Sequence, residues 1–355
     1  MKSPIQKILF GSPGTGKSYS IEHEYFPLLD IDSLSENAIK TVFHPEYTYG
    51  DFMGKLVPYT NAGTVEYNFY PGHFLVALSQ AYKCILEAPS LAEAKNVALI
   101  IDELNRGNSA AIFGSVFQLL DRENDGWSSY HVNLTKLELI TILKLIGVEF
   151  KPLKDNQHEY KFPGERDWVK NLSTFQNRVE ILRMDLEQAR VFLPPNLSII
   201  ATMNTSDSSI YFMDNAFKRR WEWEFVSITK DFHAAKEKQL EFDLNVLWVD
   251  FVNALNNFIV SQGHVIRKIE DKQIGYWFIK SKERNIHGSN CHIIEDIQIR
   301  NKLLFFLWDS VFPNRKEPLA DLLGMSPKEL VTFGQLINNY DNFMQKIIDL
   351  IPRLN

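Results

Sequence analysis

The sequence predicts an α/β protein: a parallel sheet covered by helices on both faces, then a smaller, mostly helical domain from about residue 228. Three observations predict it. Short apolar runs rich in β-branched residues recur without polar alternation. A glycine-rich loop sits between the first of them and a helical stretch, and the last third turns to amphipathic helices. Uninterrupted apolar runs suit parallel strands buried on both faces. The chain has 355 residues, 45% apolar and 23% charged. That is ordinary globular composition, long enough for about two domains.

In chain order, Ile5-Gln6-Lys7-Ile8-Leu9-Phe10 reads as the first strand, and VALII (97–101) and LSIIA (197–201) as two more. Trp221-Glu222-Trp223-Glu224-Phe225 alternates, so it reads as a strand with one wet face whose tryptophans are core. Residues 232–259, 294–312 and 328–351 read as helices, separated by turn-rich pieces such as Pro313-Asn314-Arg315. The organisation is a core over 1–227, carrying an extended insert at about 126–190, and a helical domain over 228–355. Within the insert, 134–147 reads as an apolar helix and 151–166 as a polar stretch.

Charge and cysteine content exclude several classes. The 38 Lys and Arg against 44 Asp and Glu leave a net charge of −6. Such a chain does not grip nucleic acid by overall charge, and a local basic patch or a partner would have to supply that grip. Two cysteines, Cys84 and Cys291, exclude a disulfide framework and an all-cysteine zinc site. No run approaches the ~18 apolar residues that cross a bilayer. The expected location is the cytoplasm, with no membrane partner.

Gly11-Ser12-Pro13-Gly14-Thr15-Gly16-Lys17-Ser18 satisfies G-x-x-x-x-G-K-[ST]. The glycines let backbone N–H groups turn inward around phosphates, Lys17 reaches the β and γ oxygens, and the Ser18 hydroxyl ligates Mg²⁺. A helix starting at Lys17 adds its positive dipole end. The preceding strand and following helical stretch favour a nucleotide site over a structural glycine turn. The strand at 97–101 then delivers Asp102, for the Mg²⁺ shell, and Glu103, to orient or deprotonate an attacking water. Alone, such a pair would be a solvated strand end; with the phosphate loop it points to hydrolysis. Asn204 ends the third strand, where it contacts the γ-phosphate or the water, or simply forms a turn. Lys218-Arg219-Arg220 follows a short helix at 214–217. Either arginine serves as a finger for an adjacent subunit, or the cations answer the helix dipole. No second carboxylate cluster has the spacing of a nuclease.

Four segments together resemble the AAA+ family, and within it the McrB-type NTPases of modification-dependent restriction systems. They are FGSPGTGKS (10–18), TVFHPEYTYGDFMGKLVPY (41–59), LIIDELNRGNSAAIFGSVFQLLD (99–121) and IIATMNTSDSSIYFMDNAFKRRW (199–221). The resemblance implies a five-stranded αβα core with a C-terminal helical lid, and a self-assembled ring, a hexamer, with nucleotide between subunits. It implies GTP as substrate with Mg²⁺, and a McrC-like nuclease subunit as partner on modified DNA, the DNA being met through the partner or the assembled ring. Carried over by position, Lys17 and Ser18 contact phosphate and Mg²⁺, Asp102 and Glu103 are the acids, Asn204 is the sensor, and Arg219 or Arg220 is the trans-acting finger. Asn105 and Arg106 match the loop after the acids, and Asp207 matches the aspartate of the family's M-N-T-A-D-R-S.

Three departures stand beside it. Ser208 replaces the usual arginine of that motif, which bears on nucleotide preference. The phosphate loop lies within the first twenty residues, so the base-reading N-terminal domain of other members is expected to be absent. The insert is longer than usual, with ten basic and nine acidic residues between Ser128 and Arg190, a balance that favours packing over DNA reading. Two other functions share the same phosphate contacts: an ATP-driven remodeller of protein, and a weakly hydrolysing, nucleotide-gated scaffold.

Overall fold

In the computed structural model, residues 1–61, 64–153, 158–204, 211, 213–229, 235–286 and 288–352 are described. Five strands form the central sheet: β1 (Gln6–Gly11), β2 (Ala38–Val42), β3 (Val97–Asp102), β4 (Leu197–Asn204) and β5 (Glu222–Phe225). Their order is β5-β1-β4-β3-β2. β2 and β4 both run parallel to β3, pairing Ala38 with Ala98 and Leu197 with Val97. Parallel neighbours need crossover connections, and those connections cover the sheet faces. Residues 97–101 and 197–202 are all buried, as strands covered on both faces must be. The expected α/β core is therefore present.

The edge strand β5 departs in one detail from its expected packing. Trp221, just before it, is buried, but Trp223 is 37% exposed and donates its indole N–H to the Lys218 carbonyl at 3.0 Å. Both lie at period two on an edge strand, yet only Trp221 reaches the aromatic cluster of Phe113 and Phe217.

The chain divides into two compact units, the first comprising 1–9, 18–203 and 209–224. Its helix α1 (His73–Glu87) buries Phe74, Leu75, Leu78, Tyr82 and Ile85, a spacing that repeats along one helical face. The helix stops at Ala88, which is extended because Pro89 follows. In the insert, α2 (Lys136–Leu145) starts at a reciprocal cap. The Glu138 carboxylate accepts from the Thr135 N–H at 2.7 Å, and Thr135 Oγ1 accepts from the Glu138 N–H at 3.3 Å. Its Leu139, Ile142 and Leu143 join the same core as the sheet. Burying each such side chain stabilises by about 1.5–3 kcal/mol. The polar stretch after it holds a hairpin, Glu149–Pro152 paired with His158–Lys161.

Where the insert leaves the core, the guanidinium of Arg122 is enclosed. It donates to the carbonyls of Gly126 and Pro194 at 2.8 Å and of Leu197 at 2.7 Å, and to Gln6 Oε1 at 3.3 Å. Burial alone pushes its pKa down to about 9. These neutral acceptors tie the insert's two ends to the sheet.

The second unit comprises 10–17, 204–208 and 225–355. Helices α3 (Trp248–Ser261) and α4 (Tyr340–Asp349) and the helical stretch 296–311 supply most of its core. It also holds a sheet that the helical reading lacks: β6 (Lys238–Leu240), β7 (Lys282–Ile286) and β8 (Ser289–Ile294), ordered β6-β8-β7. So the helix expected over 232–259 is interrupted by strand at 238–240 and resumes at Trp248, and residues 230–234 lie outside the described set. Leu240, Phe242 and Leu244 alternate with polar residues, a strand period that merges into the helical pattern after it. Among the described residues, no helix is long and apolar enough to cross a membrane.

Candidate nucleotide site

The loop after β1 takes backbone conformations that need glycine. Gly14 (φ +78°) and Gly16 (φ +87°) lie in the left-handed region, which lets successive N–H groups point inward. Lys17 is buried, and its Nζ donates to the Gly11 and Ser12 carbonyls at 2.9 Å each. A helix follows at once, with Lys17–Ser20 as its first turn. Thr15 Oγ1 donates to the Ser12 carbonyl at 3.0 Å and closes the loop internally. Ser18 is exposed.

The loop apex is braced by a segment that sequence reasoning passed over. The Gly275 N–H donates to the Pro13 carbonyl and the Trp277 N–H to the Gly14 carbonyl, both at 2.9 Å. Ser12 Oγ donates to the Glu270 carbonyl at 2.6 Å. The approach is so close that a Cβ on Gly14 would lie 2.4 Å from the Phe278 nitrogen, and one on Gly275 2.2 Å from the Gly14 oxygen. In the sequence, Gly275 stood only as one glycine in a turn-rich region.

The two acids end β3. The register that pairs Ala201 with Ile101 sets the next residues, Thr202 and Asp102, side by side. Thr202 Oγ1 donates to Asp102 Oδ1 at 2.9 Å and accepts from the Glu103 N–H at 3.3 Å. One buried hydroxyl thus holds the carboxylate of the first acid and the backbone of the second. Glu103 itself has φ +56°, a left-handed conformation that costs a non-glycine residue free energy and turns its side chain off the strand line. Thr202 was visible only as part of an apolar strand, and no motif marks it.

After Glu103 the chain makes a tight turn, Leu104–Arg106, and Asn108 caps the helix Ser109–Phe113 by accepting from the Ala111 N–H. Asn105 is buried, and its carbonyl accepts from the Tyr211 N–H at 2.9 Å. Asn204 is half-buried at the end of β4. Asp207 and Ser208 lie outside the described residues.

Arg219 and Arg220 follow the helix Asn215–Lys218, which Asp214 caps, and the structure separates them. Arg220 Nε and Nη2 donate to Asp121 Oδ2 at 3.0 and 2.7 Å, and its Nη1 donates to the Ala216 carbonyl at 2.6 Å. Its guanidinium lies 4.6 Å from the Phe117 ring centroid, and the side chain is 7% exposed. Arg219 is exposed on a cavity of about 550 Å³, and its guanidinium makes no hydrogen bond or ion pair among the described residues.

A divalent cation fits the donor set. Ser18 and Asp102 belong to one unit, and the Asp102 carboxylate has an oxygen beyond the one Thr202 holds. Hydroxyl and carboxylate oxygens suit Mg²⁺, which commonly takes one or two carboxylates plus substrate phosphates. Among the described residues, no three His, Cys, Asp or Glu gather to hold a metal by themselves.

No family model matches the chain. It is 28% identical to the Type II restriction enzyme BsuMI component YdiS of Bacillus subtilis (strain 168), across 95% of this chain and 86% of that protein. It is 24% identical to the Type IV methyl-directed restriction enzyme EcoKMcrB subunit of Escherichia coli (strain K12) over 225 residues, which is 63% of this chain and 35% of that one. Those matches join a sheet ordered β5-β1-β4-β3-β2 with a phosphate loop after β1 and paired acids after β3. The chain is similar to McrB-type AAA+ proteins, and its fold is an α/β P-loop NTPase core.

Proposed function

We propose that the chain is a Mg²⁺-dependent nucleoside triphosphatase, with GTP as its substrate, that assembles as a ring and drives a McrC-like nuclease subunit in restriction of modified or foreign DNA. The observation that carries hydrolysis is the Thr202 hydroxyl shared by Asp102 and Glu103, because a site that only bound nucleotide would not need the second acid fixed. The restriction setting rests on the names of the two relatives.

In this reading the N–H groups of 14–18 and the Lys17 ammonium bind the phosphates. Ser18 and Asp102 would hold Mg²⁺, which would neutralise charge on the phosphates. Glu103 accepts the proton of a water aimed at the γ-phosphorus. Asn204 orients that water or the γ-phosphate, and Asn105 and Asp207 lie among the nucleotide contacts. Arg219, from a neighbouring subunit, meets the charge that develops on the transferred phosphoryl group. Arg220 has its donors engaged at home, which favours Arg219 for that part.

The test is steady-state hydrolysis of GTP and ATP side by side, with and without a McrC-like nuclease subunit. GTP-selective turnover stimulated by that subunit is expected. ATP-selective turnover would point to the protein remodeller instead. Tight binding of either nucleotide without turnover would point to the scaffold.

A further inference from the structure

The second unit contains a cavity of about 600 Å³ between residues 265–272 and 310–315. Arg267, Lys268, Lys272 and Arg315 line it, and among the described residues no carboxylate does. Its floor is apolar and already packed: Ile266, Val311 and Phe312 are buried there. Two chain segments, 265–272 and 310–315, therefore bring four cations to one concavity in a protein of net charge −6.

Neighbouring charges show what this arrangement lacks. Lys316, next in sequence to Arg315, has a structural role, since its Nζ donates to the Phe312 carbonyl at 2.6 Å and to that of Trp308. Arg284, elsewhere in the unit, is held by Glu241 and Glu295, each at 2.6 Å. Among the described residues, the side chains of Arg267, Lys268 and Arg315 make no hydrogen bond or ion pair. Glu270 and Asp271 share the turn with Lys268, yet neither lines the cavity. Lys268 also holds φ +54°, a conformation unfavourable for lysine, at the bend between Arg267 and Ile269. Among the described residues, the like charges of Arg267, Lys268 and Arg315 gather with no carboxylate in the lining, so the complement of this cavity is an anion.

We propose that this cavity is a contact for the phosphate backbone of duplex DNA. The proposal rests on the reading that the chain acts on DNA. Exposed arginines present planar forks that match phosphate oxygens, and the lysines add point charge. The lining has no exposed aromatic ring to stack a base and no amide side chain aimed at base edges except Asn314 at the rim. Contacts of that kind position DNA without reading its sequence. Affinity gained this way falls steeply with salt, because each neutralised phosphate releases counterions. The insert, with its charges nearly balanced, offers no such concentration of one sign.

The experiment is fluorescence anisotropy of the full chain on a labelled 30-base-pair duplex across a salt series, with a non-hydrolysable GTP analogue present. The triple variant Arg267→Ala/Lys268→Ala/Arg315→Ala is compared with wild type. The slope of log affinity against log salt should shrink by about 0.9 for each contacting cation removed, and affinity at low salt should fall at least tenfold. Weakening should be equal on duplexes of unrelated sequence, while GTP hydrolysis without DNA stays at the wild-type rate. If the triple variant loses hydrolysis, Arg315→Glu alone is measured for the same loss of slope. Unchanged slope and affinity in a variant that still hydrolyses would overturn the cavity assignment and leave the nucleotide reading standing. A wild-type chain that turns over nucleotide yet binds no duplex at any salt would also overturn it.

Discussion

Thr202 donates its hydroxyl hydrogen to Asp102 Oδ1 at 2.9 Å, across the pair of central strands, while the same oxygen receives the Glu103 N–H. The parallel register fixes this relationship. With Ala201 opposite Ile101, the residue after each strand core meets its counterpart, and one side-chain hydroxyl there serves both acids. Groups that orient a metal-binding carboxylate from behind commonly matter by ten- to a hundredfold in affinity or activity.

Replacing Thr202 with valine keeps the side-chain shape and removes the hydroxyl. The expected outcome is an intact fold, a higher Mg²⁺ concentration for half-maximal hydrolysis, and kcat lower by roughly tenfold. Thr202→Ser should recover most of both. A Mg²⁺ titration of hydrolysis, with circular dichroism as the fold control, reads the result. A Mg²⁺ requirement identical to wild type would remove Thr202 from the site.

The adjacent arginines should separate by phenotype. Arg220→Ala strips Asp121 of its partner and Phe117 of the guanidinium above it, in a side chain that is 7% exposed. It should cost about 2 kcal/mol, below the range for a fully buried pair because Asp121 is part-exposed, and lower Tm by several degrees. Arg219→Ala should leave Tm within a degree, since no described residue holds its guanidinium, while turnover falls at least a hundredfold. Mixing Arg219→Ala with Glu103→Gln protein checks the trans assignment. Partial activity should return at interfaces that pair an intact acid with an intact arginine. No recovery in any mixture would count against it.

Much of this was legible in the chain because the chemistry is local. The phosphate loop, the acids after an apolar strand and the helix at 136–145 each depend on a few consecutive residues and on periods that sequence displays. The β3–β4 register, by contrast, joins residues a hundred positions apart, so Thr202 looked like any strand residue. The bracing of Pro13 and Gly14 by Gly275 and Trp277 spans about 260 positions and uses backbone groups alone, which leave no side-chain signature. Lys238–Leu240 failed for another reason: three strand residues abut a fourteen-residue helix, and the longer pattern dominates any window that includes both. The division of roles between Arg219 and Arg220 needed Asp121, which sequence gave no cause to pair with either.

Acid should weaken the turn that follows β2. Burial pushes the Asp51 pKa up, but hydrogen bonds from Lys55 and Thr48 outweigh it and hold the carboxyl down at about 2. A folded-state pKa below the unfolded value of about 3.9 means stabilisation that is present above pH 4 and lost as pH falls towards 2. Asp51→Asn should therefore melt lower than wild type at pH 6, with the gap closing as pH drops through that window. The gap should be small, because solvent screens the exposed Lys55 end. Scanning calorimetry at pH 6, 4 and 2.5 measures it, and a gap that widens in acid would contradict the sign.

The bracing of the phosphate loop yields the sharpest substitution. Gly275 has no positive φ to protect, so an alanine there meets only a steric objection. Its Cβ would lie 2.2 Å from the Gly14 oxygen and 2.5 Å from the Thr15 nitrogen. Both are backbone atoms, which cannot swing aside as the end of a side chain would. Either the 275–278 segment retreats and loses its two 2.9 Å hydrogen bonds, or the loop apex shifts. Each outcome disorders the N–H groups that would line the phosphates, although Gly275 is not itself among them. Gly275→Ala should weaken binding of a fluorescent GTP analogue at least tenfold. Gly334→Ala, in the helix Phe333–Asn338 where the added methyl meets only Thr332 Oγ1 at an ordinary 3.9 Å, should bind as wild type and melt slightly higher. Equal affinity in the two variants would mean that the loop keeps its shape without the brace.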